Sequence, residues 1–113
     1  MHELSIVMGI IKIAETETLK AGAKQVELIE LEIGSLAGIE QQALDFVWEG
    51  AVKNTVLENA TLKIDHILAK GQCMECDTIF PLDNVYDSCP NCQTYLKGIL
   101  QGKELRVKAL EVN

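Results

Sequence analysis

The chain has 113 residues, 48% of them hydrophobic, with a formal net charge of -7, a length that fits one compact domain plus a small satellite rather than two full domains. The acidity argues against a sequence-blind grip on phosphate backbones, and no apolar run approaches the roughly 20 residues needed to span a bilayer, so neither nucleic acid nor a membrane is expected as a partner. The start Met1-His2-Glu3-Leu4-Ser5 lacks the basic stretch and cleavage site of a secretory signal, which makes a cytoplasmic protein the expectation.

Val7, Ile10, Ile11 and Ala14 recur at helical spacing, with Ile6 and Ile13 widening the stripe, and predict a helix from Leu4 to about Lys20. Gly22 is its expected stop. From Gln25 to Ile33 the chain is rich in β-branched residues, and Ile29, Leu31 and Ile33 alternate with Glu30 and Glu32, although Val26 and Leu28 have the opposite parity. The reading is a strand with a bulge near Leu28, or one covered on both faces. Gly34 to Gly38 is a turn, and from Glu40 to Lys53 the residues Ala43, Leu44, Val47, Trp48 and Ala51 share one face of a second helix. Trp48, at that spacing, is a core residue. After a loop from Asn54 to Asn59, the residues Leu62, Ile64, His66 and Leu68 alternate with Lys63 and Asp65 as a second strand. Gly102-Lys103 opens a last strand in which Leu105, Val107 and Ala109 alternate with Arg106 and Lys108.

The expected fold class is α+β, a three-stranded β-sheet with two α-helices on one face, interrupted before its last strand by a small insert. Residues 1–68 and 99–113 would form the α/β domain and 69–98 the insert. No internal repeat and no low-complexity tract stand out.

The insert holds all four cysteines, as Cys73-Met74-Glu75-Cys76 and Cys89-Pro90-Asn91-Cys92. Two Cys-x-x-Cys turns can bring four thiolates to the corners of a tetrahedron, with sulfur about 2.3 Å from a central zinc. Four soft anionic ligands favour zinc or iron over harder cations, and a closed set leaves no position for a substrate water. A zinc-ribbon-like insert with a structural four-cysteine zinc site is therefore expected, stabilised by metal because it has little to bury beyond Ile79, Phe80, Leu82, Val85 and Tyr86. Disulfides would need an oxidising compartment. A thioredoxin-like pair would sit at the head of a helix in a βαβ unit, whereas both pairs here lie in a loop-rich stretch. Only Lys70 and Lys97 flank the insert while Glu75, Asp77, Asp83 and Asp87 lie inside it, so the basic footprint of a nucleic-acid reader is missing.

His66, between Ile64 and Leu68, reads as a packed or edge histidine whose ring is satisfied. His2 is different because it follows a free α-amine by one residue. The amine of Met1, the amide nitrogen of His2 and a ring nitrogen of His2 could close small chelate rings around one ion, a nitrogen set suited to planar four-coordinate nickel(II) or copper(II). A fourth ligand could be the amide of Glu3, its carboxylate or a group from a partner. Spacing alone, however, makes His2 an ordinary surface residue.

Met1-His2-Glu3-Leu4-Ser5, the turn Glu32 to Ile39, the helix segment Leu44-Asp45-Phe46-Val47-Trp48, the paired Cys-x-x-Cys and the stretch Gly102 to Lys108 together resemble the HypA family of hydrogenase nickel-insertion proteins, in one register over nearly the whole chain. The resemblance implies a metallochaperone that carries Ni(II) at Met1, His2 and Glu3 and keeps a structural Zn(II) on Cys73, Cys76, Cys89 and Cys92. It implies delivery to the large-subunit precursor of a [NiFe] hydrogenase, together with a HypB-type GTPase. Urease maturation factors as further partners, and a homodimer, stay open. Some relatives lend a histidine from the zinc module to nickel, and this chain has none between Cys73 and Cys92. No nucleophile pair outside the cysteine set and no phosphate-cradling Gly-Lys-Ser/Thr loop is present, so the expectation is a non-enzyme. The alternative is a zinc-ribbon protein- or nucleic-acid-binding module without a nickel role.

Overall fold

A computed structural model describes residues 2–113, as two helices and two three-stranded sheets. In chain order the elements are α1 (Glu3–Lys20), β1 (Val26–Gly34), α2 (Gln41–Ala51), β2 (Thr61–Ile67), β3 (Lys70–Cys73), β4 (Ile79–Pro81), β5 (Lys97–Gln101) and β6 (Leu105–Val112). The α+β class is as the sequence predicts. The insert contains a sheet of its own, in the order β4-β3-β5, distinct from the sheet β2-β1-β6. The chain divides into two compact units, the first made of Met1–Leu31, Ile39–Asp65 and Arg106–Asn113, the second of Glu32–Gly38 and His66–Leu105.

In the first unit α1 buries Val7, Ile10, Ile11 and Ala14, the predicted stripe, while Ile13 stays about half exposed. It ends where Gly22 adopts a left-handed φ of 65°. The N–H of Gly22 then donates to the carbonyl of Leu19 and that of Ala23 to Thr18, the paired pattern by which a glycine closes a helix. In β1, Ile29 and Leu31 are buried and so is Val26, of opposite parity. The amide of Val26 bonds to Val56. From α2, Leu44 and Trp48 are buried. Val52 and Leu57 join them from the turn region after it, and Leu57, fully buried in what reads as a loop, is a core residue that periodicity does not reveal. From β6, Lys108 Nζ bridges Asp65 Oδ2 of β2 at 3.2 Å and Glu30 Oε2 of β1 at 3.5 Å. The Asp65 hydrogen bond and the Glu30 charge push the Lys108 amine above its ordinary range. Half-exposed pairs of this kind add little to stability.

Two strand expectations need correction. His66 and Leu68, read as facing the same side as Ile64, are both exposed, and Ala69 is buried in their place. The reason is that β2 stops at Ile67, whose carbonyl accepts the N–H of Ser35, while the Ser35 hydroxyl accepts the N–H of Ala69. The alternation is broken as the chain passes into β3. Likewise the last strand begins at Leu105 rather than Gly102, because Gly102 sits at φ 119° and its N–H is taken by the Glu104 carboxylate. The half-buried positions of β6 are then Val107, Leu110 and Val112.

The turn Gly34 to Leu36 is a crossing point in the second unit. The amide of Gly34 donates to Glu104 at 2.8 Å and that of Leu36 to Gly102 at 2.7 Å. A Cβ at Gly34 would overlap the Gly102 carbonyl, and one at Gly102 would overlap the Cα and Cβ of Ala69. Two stretches far apart in sequence thus need glycine for one reason, close backbone approach. Gly102→Ala should lose about 3 kcal/mol or more, from steric overlap and a non-glycine residue at positive φ together. Chemical denaturation checks this, and an unchanged midpoint would refute the crossing.

Candidate metal centres

The second unit buries Ala69, Cys73, Phe80, Leu82 and Cys89, with Leu36, Cys76 and Ile99 packed against them. β3 is the central strand, pairing antiparallel with β4 (Gly71 opposite Phe80) and with β5 (Cys73 opposite Lys97). Cys73 is the last residue of β3, so the strand delivers its sulfur to the start of the first turn.

Both Cys-x-x-Cys turns follow one backbone plan. The amide of Cys73 donates to Thr78 and that of Asp77 to Cys73, and in the second turn Cys89 donates to Thr94 and Gln93 to Cys89, all at 2.8 to 3.1 Å. Asp77 and Gln93, each following the second cysteine, both adopt φ 62°. A six-residue repeat, Cys-x-x-Cys-x-Thr, is therefore present at 73–78 and 89–94, contrary to the expectation of none. It is legible in the sequence once the threonines are counted with the cysteines.

The four sulfurs of Cys73, Cys76, Cys89 and Cys92 all lie within 4.8 Å of one another. Cys73 Sγ is 3.5 Å from Cys92 Sγ, and Cys76 Sγ is 3.6 Å from Cys89 Sγ. These separations are far beyond the roughly 2.05 Å of a disulfide and close to the ~3.8 Å edge of a tetrahedron with 2.3 Å metal–sulfur bonds. The donor set fits zinc: four thiol sulfurs, with amides of Glu75 and Cys76 donating to Cys73 Sγ at 3.4 Å. Hydrogen bonds from the Thr78 hydroxyl and the Asn91 amide bring Cys76 down to about 6. A backbone hydrogen bond from Thr94 lowers Cys92, but the Cys73 sulfur and burial outweigh it and push Cys92 up to about 12. Four thiolates this close repel one another, and a cation at their centre would offset that repulsion.

The expected nickel residues lie at the start of α1. Met1 falls outside the described residues. His2 is exposed, sits at the N-cap position of α1 and makes no side-chain capping bond. Its carbonyl accepts the amide of Ile6 at 3.2 Å. Glu3 is 5% exposed, and its carboxylate Oε2 accepts the amide of Glu40, the N-cap residue of α2, at 3.2 Å. Burial pushes the Glu3 carboxyl up, but backbone hydrogen bonds including that from Glu40 win and hold it below its usual range. Glu40, Thr78 and Asn91 are the residues of these sites that sequence reasoning passes over. Among the described residues the four cysteines form the one cluster of three or more metal-ligating side chains, and no helix is long and apolar enough to cross a membrane.

A small α+β fold with a preformed four-sulfur cage defines a cysteine-liganded metal-binding protein. Comparison with known proteins makes this specific: residues 1–112 match the family model described as hydrogenase/urease nickel incorporation metallochaperone, HypA. The chain is 46% identical to the hydrogenase maturation factor HypA of Parabacteroides distasonis over 112 residues, covering 99% of this chain and 97% of that one. It is 39% identical to the same factor from Geobacter metallireducens, covering 99% of each. Its fold is similar to the solution structure of the nickel metallochaperone HypA from Helicobacter pylori, with a TM-score of 0.69 at 26% identity, covering 99% of this chain and 97% of that one. The chain belongs to the HypA family of nickel-incorporation metallochaperones.

Proposed function

We propose that this chain carries Ni(II) on its N-terminal nitrogens, those of Met1 and His2, and hands it to the large-subunit precursor of a [NiFe] hydrogenase, in concert with a HypB-type GTPase. Zinc on Cys73, Cys76, Cys89 and Cys92 is structural, and the protein acts in the cytoplasm as a carrier rather than an enzyme. The observation that carries the reading is the state of His2, exposed and without a capping bond at the first turn of α1, in a chain whose family incorporates nickel. Its neighbour Glu3 is oppositely placed, buried with its carboxylate on Glu40. That makes the Glu3 carboxylate the weaker candidate for the fourth position on nickel, and a main-chain nitrogen or a partner's group the stronger.

A permanent ion and a cargo ion need different cages. Four thiolates on two rigid turns hold their ion closed, whereas nitrogens at a chain end bind moderately and yield to a partner with better ligands. Nickel titration of untagged protein beside a copy with an N-terminal extension tests the assignment. The extension removes the amine and should weaken binding at least tenfold, or by about 1.4 kcal/mol or more. Equal affinity in the two proteins would refute the assignment.

A further inference from the structure

The two cysteine turns share a backbone plan but not a side-chain environment. In the first, the Thr78 hydroxyl lies 3.1 Å from Cys76 Sγ, and Asn91, reaching across from the second turn, donates its Nδ2 to the same sulfur at 3.5 Å. In the second, the equivalent hydroxyl, Thr94 Oγ1, accepts the amide of Leu96 at 3.3 Å and makes no bond to the Cys92 sulfur. Among the described residues no side chain other than a cysteine's bonds to the sulfur of Cys92. The position matching Asn91 in the first turn is Glu75, whose side chain lacks the amide N–H₂ that Asn91 offers. Accessibility runs the same way, with Cys73 and Cys89 buried, Cys76 half-buried and Cys92 exposed.

Hydrogen bonds from neutral donors withdraw charge from a thiolate, stabilising it as a ligand and blunting it as a nucleophile, and such charge-assisted bonds are the stronger kind. We propose that Thr78 and Asn91 are positioning residues that hold the Cys76 sulfur on the metal, so that the four-thiolate site opens at Cys92. The inference rests on the reading that the four cysteines carry zinc. Cys73 and Cys89 are fixed by burial and Cys76 by its two side-chain donors. With zinc bound, Cys92 would be the corner that an incoming thiolate displaces, its own sulfur leaving as a thiolate that takes up a proton from water.

The test uses the zinc-loaded full-length protein, a limiting amount of N-ethylmaleimide, mass-spectrometric counting of adducts at each cysteine, and zinc measured alongside. Cys92 should react first in the unmodified chain. In a Thr78→Val/Asn91→Ala double variant the reaction at Cys76 should accelerate about tenfold, as expected for losing hydrogen bonds to a charged group. Thr78→Ser, which keeps the hydroxyl, should leave the Cys76 rate unchanged. Exposure alone would give the same order in the unmodified chain but no change on removing the donors. Asn91 is exposed, so Asn91→Ala alone, which should also accelerate Cys76, keeps the test informative if the double variant does not fold. Cys76 reacting as fast as Cys92 in the unmodified chain, or no acceleration in the variants, overturns the proposal. Purified protein without one zinc per chain would instead overturn the zinc reading beneath it.

Discussion

Cys73→Ser is expected to lose the bound zinc and unfold the second unit while the helical signal survives. Cys73 is 1% exposed and is bound by two amides at its sulfur, so a serine there offers a shorter, harder donor in a site shaped for a thiolate. The apolar content of that unit does not compensate. Among the described residues from His66 to Leu105, Phe80 and Leu82 are the only large buried side chains apart from the cysteines, and burying each stabilises by about 1.5–3 kcal/mol. Metal binding at about 10–16 kcal/mol, the range for small zinc modules, is several times larger than that contribution. Helices α1 and α2 belong to the first unit, with its own buried Val7, Ile29, Leu44 and Trp48. Circular dichroism should therefore change little at the helical minimum, while elemental analysis shows zinc gone and limited proteolysis cuts within 66–105. Retention of one zinc per chain together with protease resistance would contradict this.

His2→Ala is expected to do the reverse, sparing the fold and abolishing useful nickel binding. His2 is exposed and uncapped, and substitutions at such positions usually move stability by no more than about 0.5 kcal/mol. If the intact site binds near micromolar, losing the imidazole should move the dissociation constant towards millimolar, a change of about 4 kcal/mol. Calorimetric titration of nickel into the unaltered chain and into the variant provides the comparison, and equal affinity in the two would exclude imidazole ligation.

How much of this was visible beforehand depends on how local the signal is. The helical stripe Val7, Ile10, Ile11, Ala14 and the stop at Gly22 are set by neighbours within one or two turns, and they stand where the periodicity places them. The four cysteines are equally plain, since two short turns suffice to aim their sulfurs. Leu57 and the reversed exposure of His66 and Leu68 were not legible. For His66 and Leu68 the exposure is decided by the crossing of Ser35 with Ile67 and Ala69, a contact across more than thirty residues that no periodicity encodes. Glu3 adds a contact of the same long-range kind, since only folding reveals that its carboxylate accepts the Glu40 amide.

The placement of the aromatic chromophores has a practical outcome. The single tryptophan, Trp48, lies in the first unit, and both tyrosines, Tyr86 and Tyr95, lie in the second. Indole emission from the buried Trp48 reports on the helical part, whereas Tyr86 and Tyr95, 80% and 69% exposed, change little in surroundings when the thiolate part melts. A midpoint read from indole emission would therefore describe half of the molecule, and the other half has to be followed by protease cutting within 66–105.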